Sequence, residues 1–150
     1  MYDTILIPTD GSDASTAAVE QGVAVAERFE ARVHFLHVVD VGVEMAASGV
    51  GDIADDLTET LDAVATEALD AAAARAEEAG VPHDRTVLEG FPREAIVEYS
   101  DDRDVDLVVL GASGRSGVAE HLLGSTAERV AHAVDVSVLI ARPERSRTHD

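Results

Sequence analysis

Glycines at positions 111, 114 and 124, the last followed by Ser125 and Thr126, form the stretch of this chain best suited to chemistry. As a pattern it reads Gly, two residues, Gly, nine residues, Gly-Ser. Phosphate oxygens need several backbone N–H donors converging with no Cβ in the way, which glycine permits. A helix starting at Ser125 would add unpaired N–H groups and the positive end of its dipole. The Ser125 and Thr126 hydroxyls can donate too, and Arg115, the permanent cation inside the segment, can reach outward oxygens. Singly, each glycine reads as a turn residue. Together they predict a phosphate cradle from Gly111, Ala112, Ser113, Gly114 and Arg115 to Gly124, Ser125 and Thr126. Two other phosphate loops are excluded. The chain has no lysine for a P-loop, and no Gly-x-Gly-x-x-Gly follows its first strand-like segment.

These residues need a scaffold. Thr4–Pro8, Arg32–Val39, Asp84–Leu88, Leu107–Leu110 and Ser137–Ala141 read as strands. Most are short, β-branched and nearly continuous in apolar residues, as strands covered on both faces are. Helical patterns lie between them, at Ala14–Phe29, Leu57–Ala79, Pro92–Tyr99 and Ser125–Val134. Gly80 is a natural helix stop, and the Ser125/Glu128 pair fits a capping box. Gly42–Asp56 reads as a long mobile loop and 143–150 as a polar tail beyond a single domain over 1–142. The order βαβαβαβαβ predicts an α/β fold, an open five-stranded parallel sheet with right-handed crossovers and helices on both faces. Ligands of such sheets sit beyond the carboxyl ends of the strands. Pro8-Thr9-Asp10-Gly11-Ser12, His37-Val38-Val39-Asp40 and the glycine segment therefore gather on one edge.

Other polar residues carry less. Asp10 can accept from a sugar hydroxyl or hold Mg²⁺ through water, and equally can close an Asx turn ahead of Gly11. Asp13 reads as a charge at a helix N-terminus. His34 and His37, three apart in a strand, point to opposite faces and cannot share a metal, so both read as packing or backbone-bonded residues. His121 and His132 suggest no site, and Asp101–Asp104 reads as a solvated loop.

Nearly half of the 150 residues are apolar, enough for one core, and no apolar run approaches the ~18 residues of a membrane span. No signal peptide is expected; the lack of cysteine excludes disulfides and thiolate metal sites but leaves the compartment open, and the cytoplasm is taken as the default. The formal charge of −19 argues against nucleic acid or anionic membrane as partner. The acids are spread along the chain, which fits a halophilic acidic surface for a salt-rich cytoplasm.

The Gly111/Gly114/Gly124-Ser125 spacing, the Pro8-Thr9-Asp10-Gly11-Ser12 strand ending, Leu36-His37-Val38-Val39 and Val138-Leu139-Ile140 before Arg142-Pro143 resemble the universal stress proteins. The likeness is to their small, single-domain, ATP-binding type and runs from Tyr2 to Arg142. It implies strand order 3-2-1-4-5 and a nucleotide (ATP, ADP or AMP, with Mg²⁺) between strands 1 and 4. It implies that Pro8, Thr9 and Asp10 border adenine and ribose, that the Val38 backbone faces the adenine edge, and that Gly111, Gly114, Arg115, Gly124, Ser125 and Thr126 hold ribose and phosphates. It also implies a homodimer through Ser137–Ala141, which would otherwise be an exposed edge. Ser113 stands where many relatives have His, and Ala127 where many have Ser or Thr, which thins the contacts.

No residue pair reads as base and nucleophile, so the expected role is a nucleotide-binding regulatory module in stress response. The alternatives are a slow ATP hydrolase, an adenylating pyrophosphatase, which the Asp10-Gly11-Ser12-Asp13 stretch matches only loosely, and a nucleotide-free dimerisation module.

Overall fold

The computed structural model describes residues 2–42, 52–113 and 123–143, with 52–58 by backbone alone. Among the described residues five strands alternate with four helices: β1 Thr4–Pro8, α1 Asp13–Phe29, β2 Arg32–Asp40, α2 Asp52–Ala79, β3 His83–Gly90, α3 Pro92–Asp102, β4 Leu107–Gly111, α4 Ser125–Ala133 and β5 Ser137–Ala141. The strands form one sheet in the order β3-β2-β1-β4-β5, and every pairing is parallel. That is the order the resemblance implied.

Period-two alternation sends side chains to two cores. Ile5, Ile7, Val33, Phe35 and Val109 pack beneath α1 and α2, against Val23, Leu69 and Ala76. Leu6, Leu36, Val108 and Leu110 pack beneath α3 and α4, against Ile96, Tyr99 and Val130. Burial on both faces is why β1 and β4 are almost unbroken in apolar residues. Phe35 is the bulkiest fully buried side chain. Truncating it to Ala would cost about 3–5 kcal/mol.

Helix ends follow local chemistry. Ser12 caps α1, its side chain accepting from the Ser15 N–H at 3.2 Å. Asp13 sits in the first turn, as expected of a charge at the positive dipole end. After α2, Gly80 takes φ +70° and the Val81 N–H reaches back to the Ala76 carbonyl, a left-handed stop available to glycine without strain.

Three expectations need correction. The segment expected as a loop to Asp56 is helical from Asp52, so only 43–51 of it lie outside the described residues. The capping box at Ser125 and Glu128 does not form. Gly124 occupies the cap position without a side-chain bond, and Ser125 is already helical. Asp101 and Asp102 belong to α3, and its C-cap is Arg103. Most of the tail, 144–150, lies outside the described residues.

Candidate functional site

Strand order reverses between β1 and β4, because α1 and α2 cover one face and α3 and α4 the other. In sheets of this order ligands bind in the crevice outside the carboxyl ends of the two strands at the reversal, here β1 and β4. Two walls meet there.

The first wall is Pro8–Ser12. Thr9 extends the ladder past β1, its N–H donating to the Leu36 carbonyl at 2.8 Å. Asp10 then accepts the Ser12 N–H at 2.9 Å, while Gly11 takes φ +80°. This is the Asx turn that competed with a ligand role in the sequence, and it turns the chain directly into α1.

The second wall comes from β4 and α4. Gly111 ends β4, and Ala112 continues toward β5 by donating to the Ala141 carbonyl at 2.9 Å. The Gly124 N–H donates to the Ala112 carbonyl at 2.7 Å, so the described ends of the glycine segment are joined at its base. That bond sets the amino end of α4 beside the carboxyl end of β4. Gly124 supplies no side-chain cap to the first N–H groups of α4, and a helix end of this kind can receive an anion. Ser125 is exposed and Thr126 half-buried at that end.

Gly111 has a steric reason of its own. A Cβ there would lie 2.6 Å from the Ala14 carbonyl carbon and 2.8 Å from the Ser15 nitrogen. Its bare backbone lets β4 press against the first turn of α1 and brings the walls together. Ala127 is buried among Leu110 and Val130, in the core beneath α4. A hydroxyl there would meet the core. Val38 is half-buried and pairs with Leu88 of β3 near the carboxyl end of the sheet. Ser113 is half-buried next to Ala112. Gly114 and Arg115 lie outside the described residues.

Two positions gain a definite structural place. Ser15, which the sequence did not mark, is buried and accepts from the Thr9 hydroxyl and the Asp10 N–H, both at 3.3 Å. Its only sequence signal is the Ser12-x-x-Ser15 spacing, which is common at capped helix starts. His37, expected to be backbone-bonded, places Nδ1 2.9 Å from the Thr9 carbonyl. A carbonyl only accepts, so Nδ1 carries the proton. His34 faces the other core, with Nδ1 2.9 Å from the Tyr99 hydroxyl. The two histidines thus serve opposite faces.

A cleft of about 270 Å³ opens between α1 and α2, lined by Thr9, Gly11, Thr16, Val19, Ala68 and Arg75 among others. Among the described residues it shares Thr9 and Gly11 with the crevice, and its other lining residues belong to α1 and α2. Among the described residues no group of three His, Asp or Glu could hold a metal ion, and no helix is long and apolar enough to cross a membrane.

The model of the Universal stress protein family matches residues 1–142. A universal stress protein of Methanocaldococcus jannaschii is 38% identical over 144 residues, 95% of this chain and 83% of the relative. The structure of universal stress protein UspA from Lactobacillus plantarum superposes with a TM-score of 0.79 at 32% identity, covering 94% of this chain and 98% of that one. A universal stress protein solved in complex with cAMP superposes with a TM-score of 0.69 at 29% identity, covering 95% and 98%. The 3-2-1-4-5 sheet, the crevice beside β1 and β4 and these likenesses agree, and the chain belongs to the universal stress protein family.

Proposed function

We propose that this protein binds an adenine nucleotide in the crevice between β1 and β4 and acts as a regulatory module. The observation that carries the reading is the Gly124 N–H bond to the Ala112 carbonyl, 2.7 Å, which sets the amino end of α4, with a glycine at its cap position, at the carboxyl edge of the sheet. Phosphates lie at that end, held by N–H groups of α4, the Ser125 and Thr126 hydroxyls, Gly111, Ala112, Ser113 and Gly114, with Arg115 as counter-charge. Pro8, Thr9, Asp10 and the Val38 backbone take ribose and base. The cAMP complex of a relative supports an adenine nucleotide as the ligand class.

Mg²⁺ fits only as a companion of the phosphates. One Asp10 oxygen already accepts the Ser12 N–H, so that carboxylate contributes through water while phosphate oxygens supply direct ligands. We further propose a homodimer through β5, in the cytoplasm and in the service of stress response, with neither nucleic acid nor membrane as partner.

Calorimetric titration with ATP, ADP and AMP, with and without Mg²⁺ at high salt, tests the reading. Saturable binding that weakens when Ser125 and Thr126 are both changed to Ala supports it; no heat with any of the three overturns it. Mass spectrometry of ligand released from freshly purified protein tells which nucleotide is carried.

A further inference from the structure

We infer that Ser15 and His37 are positioning residues that clamp Thr9 between α1 and β2, fixing the Pro8–Asp10 wall before any ligand arrives. The inference rests on the nucleotide reading above for its consequence, but its geometry stands alone.

Each polar group of Thr9 is engaged by a different group. Its N–H donates to the Leu36 carbonyl at 2.8 Å. Its carbonyl accepts from His37 Nδ1 at 2.9 Å. Its hydroxyl donates to Ser15 Oγ at 3.3 Å. Ser15 Oγ also accepts the Asp10 N–H at 3.3 Å and donates to the Ser12 carbonyl at 3.1 Å. Thr9, Ser15 and His37 are only 6%, 5% and 6% exposed, so water competes poorly for these bonds. The polypeptide at Thr9 has left β1 and lacks the two-sided ladder that holds Ile5 and Leu6. The two side chains replace that ladder. A wall held in one conformation loses less entropy when a ligand docks, so affinity depends on residues that need not touch the ligand.

The test compares ATP–Mg²⁺ affinity in the full chain and its variants. His37→Asn keeps an N–H the same number of bonds from the backbone as Nδ1, whereas His37→Leu removes the donor. The expected result is about tenfold weaker binding for His37→Leu and Ser15→Ala, with His37→Asn within about threefold of wild type. Val33→Ala, buried at the other end of β2, controls for stability: it lowers the melting temperature and leaves affinity unchanged. Wild-type affinity in His37→Leu overturns the inference, as does affinity that merely follows melting temperature across all variants. Two measurements need no nucleotide. ¹⁵N NMR is expected to show the Nδ1–H tautomer, and amide exchange at Thr9 and Asp10 is expected to accelerate in His37→Leu. An Nε2–H tautomer, or unchanged exchange at both amides, overturns the clamp even if no nucleotide binds. Absence of binding with both signals present overturns only the nucleotide reading.

Discussion

Gly111 and Ala14 touch backbone to backbone: a Cβ on the glycine would stand 2.6 Å from the Ala14 carbonyl carbon and 2.8 Å from its oxygen. Main-chain atoms at a helix start cannot rotate away. Gly111→Ala is therefore expected to cost about 1–3 kcal/mol and to part the walls of the crevice. Urea denaturation reads the first effect. Shortening Ala14 to Gly should not rescue it, because the obstacle is backbone.

Gly22 offers the contrast. A Cβ there would meet the Cδ1 end of Ile7, a side chain that can be trimmed. Gly22→Ala alone should destabilise modestly, since better helix propensity returns about 1 kcal/mol. The double change Gly22→Ala with Ile7→Val should recover stability beyond the sum of the single effects, read as a coupling energy in a double-mutant cycle.

Burial lowers the His34 pKa from its ordinary 6.5, and the nearby Arg32 and Arg103 lower it further, against the opposing pull of Asp84. Tyr99 bonds the ring on α3, and Arg103 lies over the Tyr99 ring at 5.1 Å. A folded pKa below the unfolded one means that the unfolded chain takes up the proton first. Stability is then intact above about pH 6.5 and is lost as pH falls through the folded value. Wild type should lose stability relative to His34→Asn below that pH and run parallel to it above. Parallel curves throughout would remove His34 as the cause.

A formal charge of −19 on 150 residues makes the folded surface repel itself. Raising NaCl from about 0.1 M to about 1 M shortens the screening length from roughly 10 Å to 3 Å. The melting temperature should rise by about 2–4 °C, the shift that roughly 1 kcal/mol produces in a domain of this size. Changing the exposed Glu20, Glu27 and Glu78 to Gln should flatten that dependence.

Pairing through β5 predicts a particle of twice the 15.7 kDa chain mass by light scattering. Val138, Leu139 and Ile140 are all half-buried on that edge. Val138→Lys with Ile140→Lys should shift the particle to one chain, because charged edges disfavour strand addition. A single-chain mass in wild type would refute the pairing.

Much of the scaffold was legible because buried parallel strands leave continuous apolar runs, as in Thr4–Pro8 and Leu107–Leu110. Their lateral order was not written in periodicity and came from the family resemblance. At the site, local signals misled where one residue served two readings. Ser125 and Glu128 have the spacing of a capping box, yet Gly124 takes the cap because its N–H is drawn to Ala112. Asp10 and Gly11 were readable as a turn, since Asx geometry is local. Ser15 and the Gly111–Ala14 contact were not, because each depends on segments brought together only by the sheet.

The Gly124 bond to Ala112 has a further consequence for how this architecture can diversify. It acts as a socket: sheet and helix are fastened to each other below whatever is plugged in between. Lengthening such a closed connection costs only about 0.6 kcal/mol per doubling. Residues 113–123 could thus be exchanged as a cartridge, by drift or by design, with β4, β5 and α4 keeping their register. Ligand preference and scaffold stability would then be free to change separately.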